Sequence, residues 1–169
     1  MEKEVVLTPA GYDKLVEELD YLVTKRRKEI AERIKESIQF GDLSENSEYD
    51  DAKNEQAFLE GRIQQITEMR QKARVIEDKD FKAGRVSLGS WVVLKDAQDG
   101  EEYIYHVVGS AEADPINGRI SNESPVGRAI LGKKIGQTVE VTAPQGVFSY
   151  QVLAVSHDGF GPEVKEAQV

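Results

Sequence analysis

The chain has no cysteine among its 169 residues, so a disulfide framework, thiolate metal ligation and a cysteine nucleophile are all excluded. That composition suits a reducing compartment, and a cytoplasmic protein is the expectation. Histidine is nearly absent as well: His106 and His157 stand alone, without a partner at ligand spacing, and read as structural. Cationic charge is in deficit, with 22 Lys and Arg against 31 Asp and Glu. The resulting net charge of −9 argues against broad binding to duplex phosphates, an affinity that comes from clustered Lys and Arg. No apolar run approaches the roughly eighteen residues of a membrane helix, and the charged start Met1-Glu2-Lys3-Glu4 is unlike an export signal. No membrane association is expected.

What is present divides sharply along the chain. Thr8-Pro9 starts a helix with a cap residue followed by proline at the first helical position. Tyr12, Leu15, Leu19 and Leu22 then follow coiled-coil spacing; Arg26 interrupts the seam, and Ile30, Ile34 and Ile38 continue it in steps of four. This helix is expected to reach about Phe40, where Gly41 stops it. A second helix carries Ala52, Leu59, Ile63, Ile66, Ala73 and Ile76, with Arg70 at a seam position. Joined by a short turn, the two make an antiparallel coiled-coil hairpin over residues 1–77, its tip at 41–49. Between Glu36 and Ala52 lie six carboxylates (Glu36, Asp42, Glu45, Glu48, Asp50, Asp51) and no Lys or Arg. Such a tip repels itself unless a cation or a cationic pocket receives it.

After a linker at 78–82 the pattern becomes short β-branched and aromatic runs at 90–94, 103–108, 138–141 and 148–155. Ser124-Pro125 and Gly132 bracket a short helix. The expectation for 83–157 is an antiparallel sheet with one small helix, so the fold class is α+β, followed by a flexible tail at 158–169. Trp91, Tyr103, Tyr105, Phe148 and Tyr150 could suggest a prolyl-isomerase pocket, but alternation along the strands puts most of them into an ordinary core.

The stretch Gly41-Asp42-Leu43-Ser44-Glu45-Asn46 with Glu48-Tyr49 and Ala52-Lys53 resembles the bacterial GreA/GreB transcript cleavage factors, GreA more than GreB. A second motif, Ser121-Asn122-Glu123-Ser124-Pro125-Val126-Gly127-Arg128-Ala129 with Leu131-Gly132-Lys133-Lys134-Ile135-Gly136, carries the same resemblance. It covers residues 1 to about 157. The resemblance implies a coiled coil that enters the secondary channel of RNA polymerase and an FKBP-like domain that docks at the channel rim. The tip acids would then stimulate the polymerase's own hydrolysis of backtracked RNA, so the protein is expected to be a monomeric accessory factor and not itself an enzyme.

On this resemblance Asp42 and Glu45 are the catalytic pair. Asp42 would ligate a second Mg2+ shared with the polymerase, the isolated protein carrying no cofactor, and Glu45 would orient or deprotonate the attacking water. Ser44, Asn46 and Tyr49 would support the tip, and Lys53 and Arg62 would touch the RNA 3′ segment. Ser121, Asn122, Glu123, Ser124, Pro125, Gly127 and Arg128 are the candidates for polymerase docking. A bland reading stands beside this one, because Asp42-Leu43-Ser44-Glu45 is also a D-x-x-E capping box. Lys25-Arg26-Arg27-Lys28 points around a whole helical turn and reads as a solvated or polymerase-facing surface. The alternative functions are a secondary-channel inhibitor of the same architecture and a free-standing coiled-coil scaffold.

Overall fold

The structure, a computed structural model, describes residues 3–39 and 46–158. It consists of two compact units, one over Ala10–Ala73 and one combining Glu4–Pro9 with the chain from Arg74 onward. These bounds differ from the 1–77 and 83–157 division read from the sequence. Strand β1 (Val5–Leu7) pairs with β2 (Ala73–Val75), and the Ile76 N–H donates to Leu7 O at 2.8 Å. Thr8 is buried, and both its N–H and its hydroxyl donate to the Glu112 carboxylate at 2.7 and 2.6 Å. The N-terminal strand thus belongs to the globular unit.

In the helical unit, α1 (Pro9–Tyr21) runs through a π-helical turn at Leu22–Arg26 into α2 (Arg27–Ile38), and α3 (Ser47–Gln71) returns. The π turn has a local cause. The Thr24 hydroxyl donates to Asp20 O at 2.7 Å, competing with the α-helical bond to that carbonyl, and Arg27 N–H bonds Leu22 O five residues back. One extra residue per turn rotates the following helix about its axis. After it the buried positions are Ile30 and Ser37 with half-buried Ile34, a 4-3 step; Ile38 is 48% exposed. The expected seam residue Ile38 therefore gives way to Ser37.

Ala52, Leu59, Ile63 and Ile66 of α3 are buried as their spacing predicts, but Arg70 is exposed and the helix stops at Gln71. Ala73 lies in β2 and Ile76 just beyond it, because backbone pairing with β1 takes over from the helical ladder.

The second unit is built on five strands, β3 (Trp91–Asp96), β4 (Glu102–Val108), β5 (Arg119–Ser121), β6 (Thr138–Ala143) and β7 (Gly146–Ser156), in the order β5-β4-β3-β7-β6. The sheet is mixed and not purely antiparallel: β5 runs parallel to β4, with Val107 opposite Ile120. Helix α4 (Pro125–Ile130) covers one face over Val92, Leu94, Val107, Val139, Val141 and Val152. Tyr105 and Tyr150 pack against this cluster, while Trp91 stacks on the His106 ring (centroids 4.2 Å apart, 5° between planes) and Tyr103 lies alongside Tyr105. The aromatic residues therefore do not all enter one core.

Candidate functional site

The distal end of the hairpin is built by small residues and one asparagine. Ser37 near the end of α2 and Ala52 in the second turn of α3 are 2% and 0% exposed. Small side chains at buried seam positions let two helix backbones come close. Asn46 is the N-cap of α3: its backbone is extended, its Oδ1 accepts the Tyr49 N–H at 3.2 Å, and its Nδ2 donates to Ser37 O at 2.6 Å. One side chain thus satisfies an orphan donor of α3 and an orphan acceptor of α2.

Asp42, Ser44 and Glu45 lie outside the described residues. The N-cap of α3 is Asn46, and the capping-box reading of Asp42 and Glu45 lies outside the described residues with them. Asn46, expected from the sequence as a tip contact, is a helix cap, a role the sequence reading did not give it. The signal was available in Asn46-Ser47-Glu48-Tyr49-Asp50, a cap residue followed by two acids in the first helical turn.

Arginine–glutamate pairs cross between the arms along the rest of the hairpin. Arg27 makes a bidentate pair with Glu60 (2.8 Å twice), Arg62 makes one with Glu18 (2.7 and 2.9 Å), and Arg26 and Arg33 both reach Glu55. Hydrogen bonding from Arg27 holds the Glu60 carboxyl below its usual range, and the Glu18 carboxylate raises Arg62. Near the tip the balance changes. Glu48 retains one 3.4 Å contact to Arg33, whereas Glu36, Asp50 and Asp51 have no cationic partner among the described residues. The negative potential expected from the sequence is thus left uncompensated at this end.

The remaining candidates divide between free and engaged groups. Tyr49 is half-buried beside the cap, and Lys53 is exposed with its Nζ donating to Gln56 at 2.9 Å. Arg62 is committed to Glu18 and to Gln65 (2.8 Å), so it does not present an open cation. In the globular unit the docking candidates form one braced corner. The Ser110 hydroxyl donates to Glu123 at 2.6 Å and lies 2.8 Å from the Ser121 hydroxyl, which accepts the Glu123 N–H. Ser124 caps α4 by accepting the Gly127 N–H at 3.1 Å and donates its hydroxyl to Ser121 O. Gly127 is buried, and a Cβ there would fall 1.9 Å from Ser121 O, so its role is close packing of α4 on the end of β5. Asn122 is half-buried, and Pro125 and Arg128 are exposed on the same corner.

Comparison with known proteins agrees with this arrangement. Residues 5–75 match the family model described as the N-terminal part of a transcription elongation factor, and residues 81–157 match the C-terminal GreA/GreB model. The chain is 57% identical over 154 residues to the transcription elongation factor GreA of Clostridium acetobutylicum, covering 91% of this chain and 98% of the relative. It is 54% identical over 155 residues to GreA of Caldanaerobacter subterraneus subsp. tengcongensis, covering 92% and 99%. Among solved structures, the GreA factor homolog 1 protein of Thermus thermophilus is 31% identical, with 91% of this chain and 99% of that one covered and a TM-score of 0.43. The chain belongs to the GreA/GreB family of transcription elongation factors. No helix among the described residues is long and apolar enough to cross a membrane.

Proposed function

We propose that this elongation factor acts on RNA polymerase as an accessory and not as a nuclease in its own right. The hairpin enters the secondary channel and places its acidic tip beside the extruded 3′ end of a backtracked RNA. Asp42 supplies one hard oxygen ligand, which suits Mg2+, an ion that keeps several waters and takes one or two carboxylates from any one protein. The other ligands are the polymerase's. Mg2+ held there would help position a water and stabilise the leaving oxygen. Glu45 accepts a hydrogen bond from the attacking water and takes its proton. Ser44, Asn46 and Tyr49 hold the tip, Lys53 faces the RNA, and the corner from Ser121 to Arg128 docks on the channel rim.

The observation that carries this reading is the cap. Asn46 satisfies α3 and clips it to α2, so the start of α3 needs no carboxylate from the preceding segment. The test is a stalled elongation complex with 3′-labelled RNA, incubated with the protein and Mg2+. Release of short 3′ fragments is expected, with no cleavage of free RNA by the protein alone. Degradation of free RNA, surviving nuclease controls, would show an enzyme; binding that blocks cleavage would favour the channel-occupying inhibitor.

A further inference from the structure

The turn between β3 and β4 holds a buried charge to which folding supplies no counter-ion. Asp96, the last residue of β3, is 7% exposed, and a carboxylate so far from water is ordinarily paired with a cation. Its Oδ1 accepts the Gln98 N–H at 2.7 Å, but no described Lys or Arg pairs with it. Lys95, its neighbour, belongs to the opposite face of the strand. The side chains around Asp96 are aromatic instead. Tyr150 stands directly opposite it on β7. Tyr103, paired with Leu94, is one diagonal step away on the same face, and its ring lies alongside Tyr105 with centroids 6.1 Å apart. All three rings are half-buried, so each shows part of its surface to solvent. Further round the turn Asp99 accepts the Glu101 N–H at 2.8 Å and Glu101 accepts the Tyr103 hydroxyl at 3.0 Å, again with no described Lys or Arg as partner.

The phenols feel this negative field. The bond to Glu101, aided by burial, pushes Tyr103 up to about 12; burial raises Tyr105 and Tyr150, and Asp96 adds to the shift of both. Carboxylates and the electron-rich faces of aromatic rings thus converge on one spot.

We infer that Asp96, Tyr103, Tyr105 and Tyr150 form a binding site for a linear polyamine, a small organic polycation. Mg2+ keeps a shell of water that ring faces cannot hydrogen-bond. A protonated amine, in contrast, is held by a single carboxylate together with aromatic faces, and its methylene groups lie against the rings. Its remaining ammonium groups reach Asp99 and Glu101 along the turn. The site lies wholly within the globular unit and stands independently of the polymerase reading.

The test titrates the full chain with spermidine by calorimetry and follows the tyrosine ring signals by NMR. Saturable binding is expected, with the rings of Tyr103, Tyr105 and Tyr150 shifting together. Asp96→Asn, whose Oδ1 still accepts the Gln98 N–H, and Tyr103→Leu should each weaken binding by about fivefold or more. Asp50→Asn, which removes a hairpin acid, should leave the affinity unchanged. If it weakens binding as much as Asp96→Asn does, or if Mg2+ at matched charge displaces spermidine equally well, the protein responds only to net charge and the site is overturned. N-acetyl-lysine amide, with one ammonium group, should bind at least about tenfold more weakly than spermidine. Equal binding would make the site a receptor for a lysine side chain and overturn the polyamine assignment. Melting curves separate lost binding from lost fold. Should Asp96→Asn not fold, Tyr103→Leu decides alone, and unaltered affinity in that variant overturns the inference.

Discussion

The hairpin and the globular unit use their residues in opposite ways. The globular unit gathers nine buried side chains, from Val86 to Val152, into one cluster and brings backbones into near contact, with Gly109 so close to Val6 O that a Cβ would lie 2.0 Å from it. Among the described residues the hairpin has a cluster of three buried members, Ile30, Leu59 and Ile63, and its flanks are stitched by Arg–Glu pairs. A thin seam under exposed ion pairs contributes little stability per residue. It leaves Phe58 exposed and open space beside Gly61. One region is organised to hold its own shape, and the other to present groups to a partner.

The comparison breaks hardest in the globular unit. Gly127→Ala drives a methyl group into Ser121 O, and a backbone carbonyl cannot swing away, so a loss of about 3 kcal/mol is expected. Denaturant unfolding followed by Trp91 fluorescence reads it; a loss within experimental error would mean that α4 and β5 are not locked together. On the hairpin the largest effect should be chemical. Asp42→Asn removes an anionic oxygen and leaves the Asn46 cap of α3 in place, so melting and polymerase binding should hold. Stimulated cleavage should fall at least about a hundredfold, ~2.7 kcal/mol of activation free energy. Added Mn2+ should restore part of it. Cleavage at the unaltered rate would remove Asp42 from the chemistry.

Asn46→Ala should cost the hairpin about 1–2 kcal/mol by losing the cap on Tyr49 and the clip to Ser37 together. Asn46→Asp should recover the cap but not the clip. Amide exchange around Ser37 and Tyr49 distinguishes them, and equal protection in both variants would deny the clip any role.

The smallest effect is a difference in acid response. Burial of His106 lowers its pKa below the ordinary 6.5, so the unfolded chain takes up that proton first. The globular unit therefore keeps this contribution above pH 6.5 and loses it as pH falls through the window just below. The Glu60 carboxyl is lowered by its bond from Arg27, so the matching hairpin contribution is present above 4.5 and is lost only further down. On mild acidification Trp91 fluorescence should report loosening of the sheet before helix content changes. His106→Phe should abolish that first step, and its persistence would assign the step to another group.

Local signals carried much of this molecule in the sequence. Steps of three and four residues announced α1, α2 and α3, because a helix repeats its face within one turn; Ser124-Pro125 announced α4, because capping is settled between neighbours. The acidic tip and both motifs were legible as strings of residues. The β runs were legible too, but their pairing was not. That β5 lies parallel to β4, that β1 joins the globular unit through Glu112, and that Ile76 leaves the helix to bond Leu7 all depend on partners far along the chain. The exchange of Ile38 for Ser37 in the seam followed from a π turn, where a threonine hydroxyl captured one carbonyl and turned everything after it. The second bond of Asn46 waited on tertiary structure too: a cap residue is legible in sequence, but only the approach of α2 puts Ser37 O in reach of its side-chain amide. Local chemistry determined which elements form, and long-range contact decided where they end and which side chains remain for function.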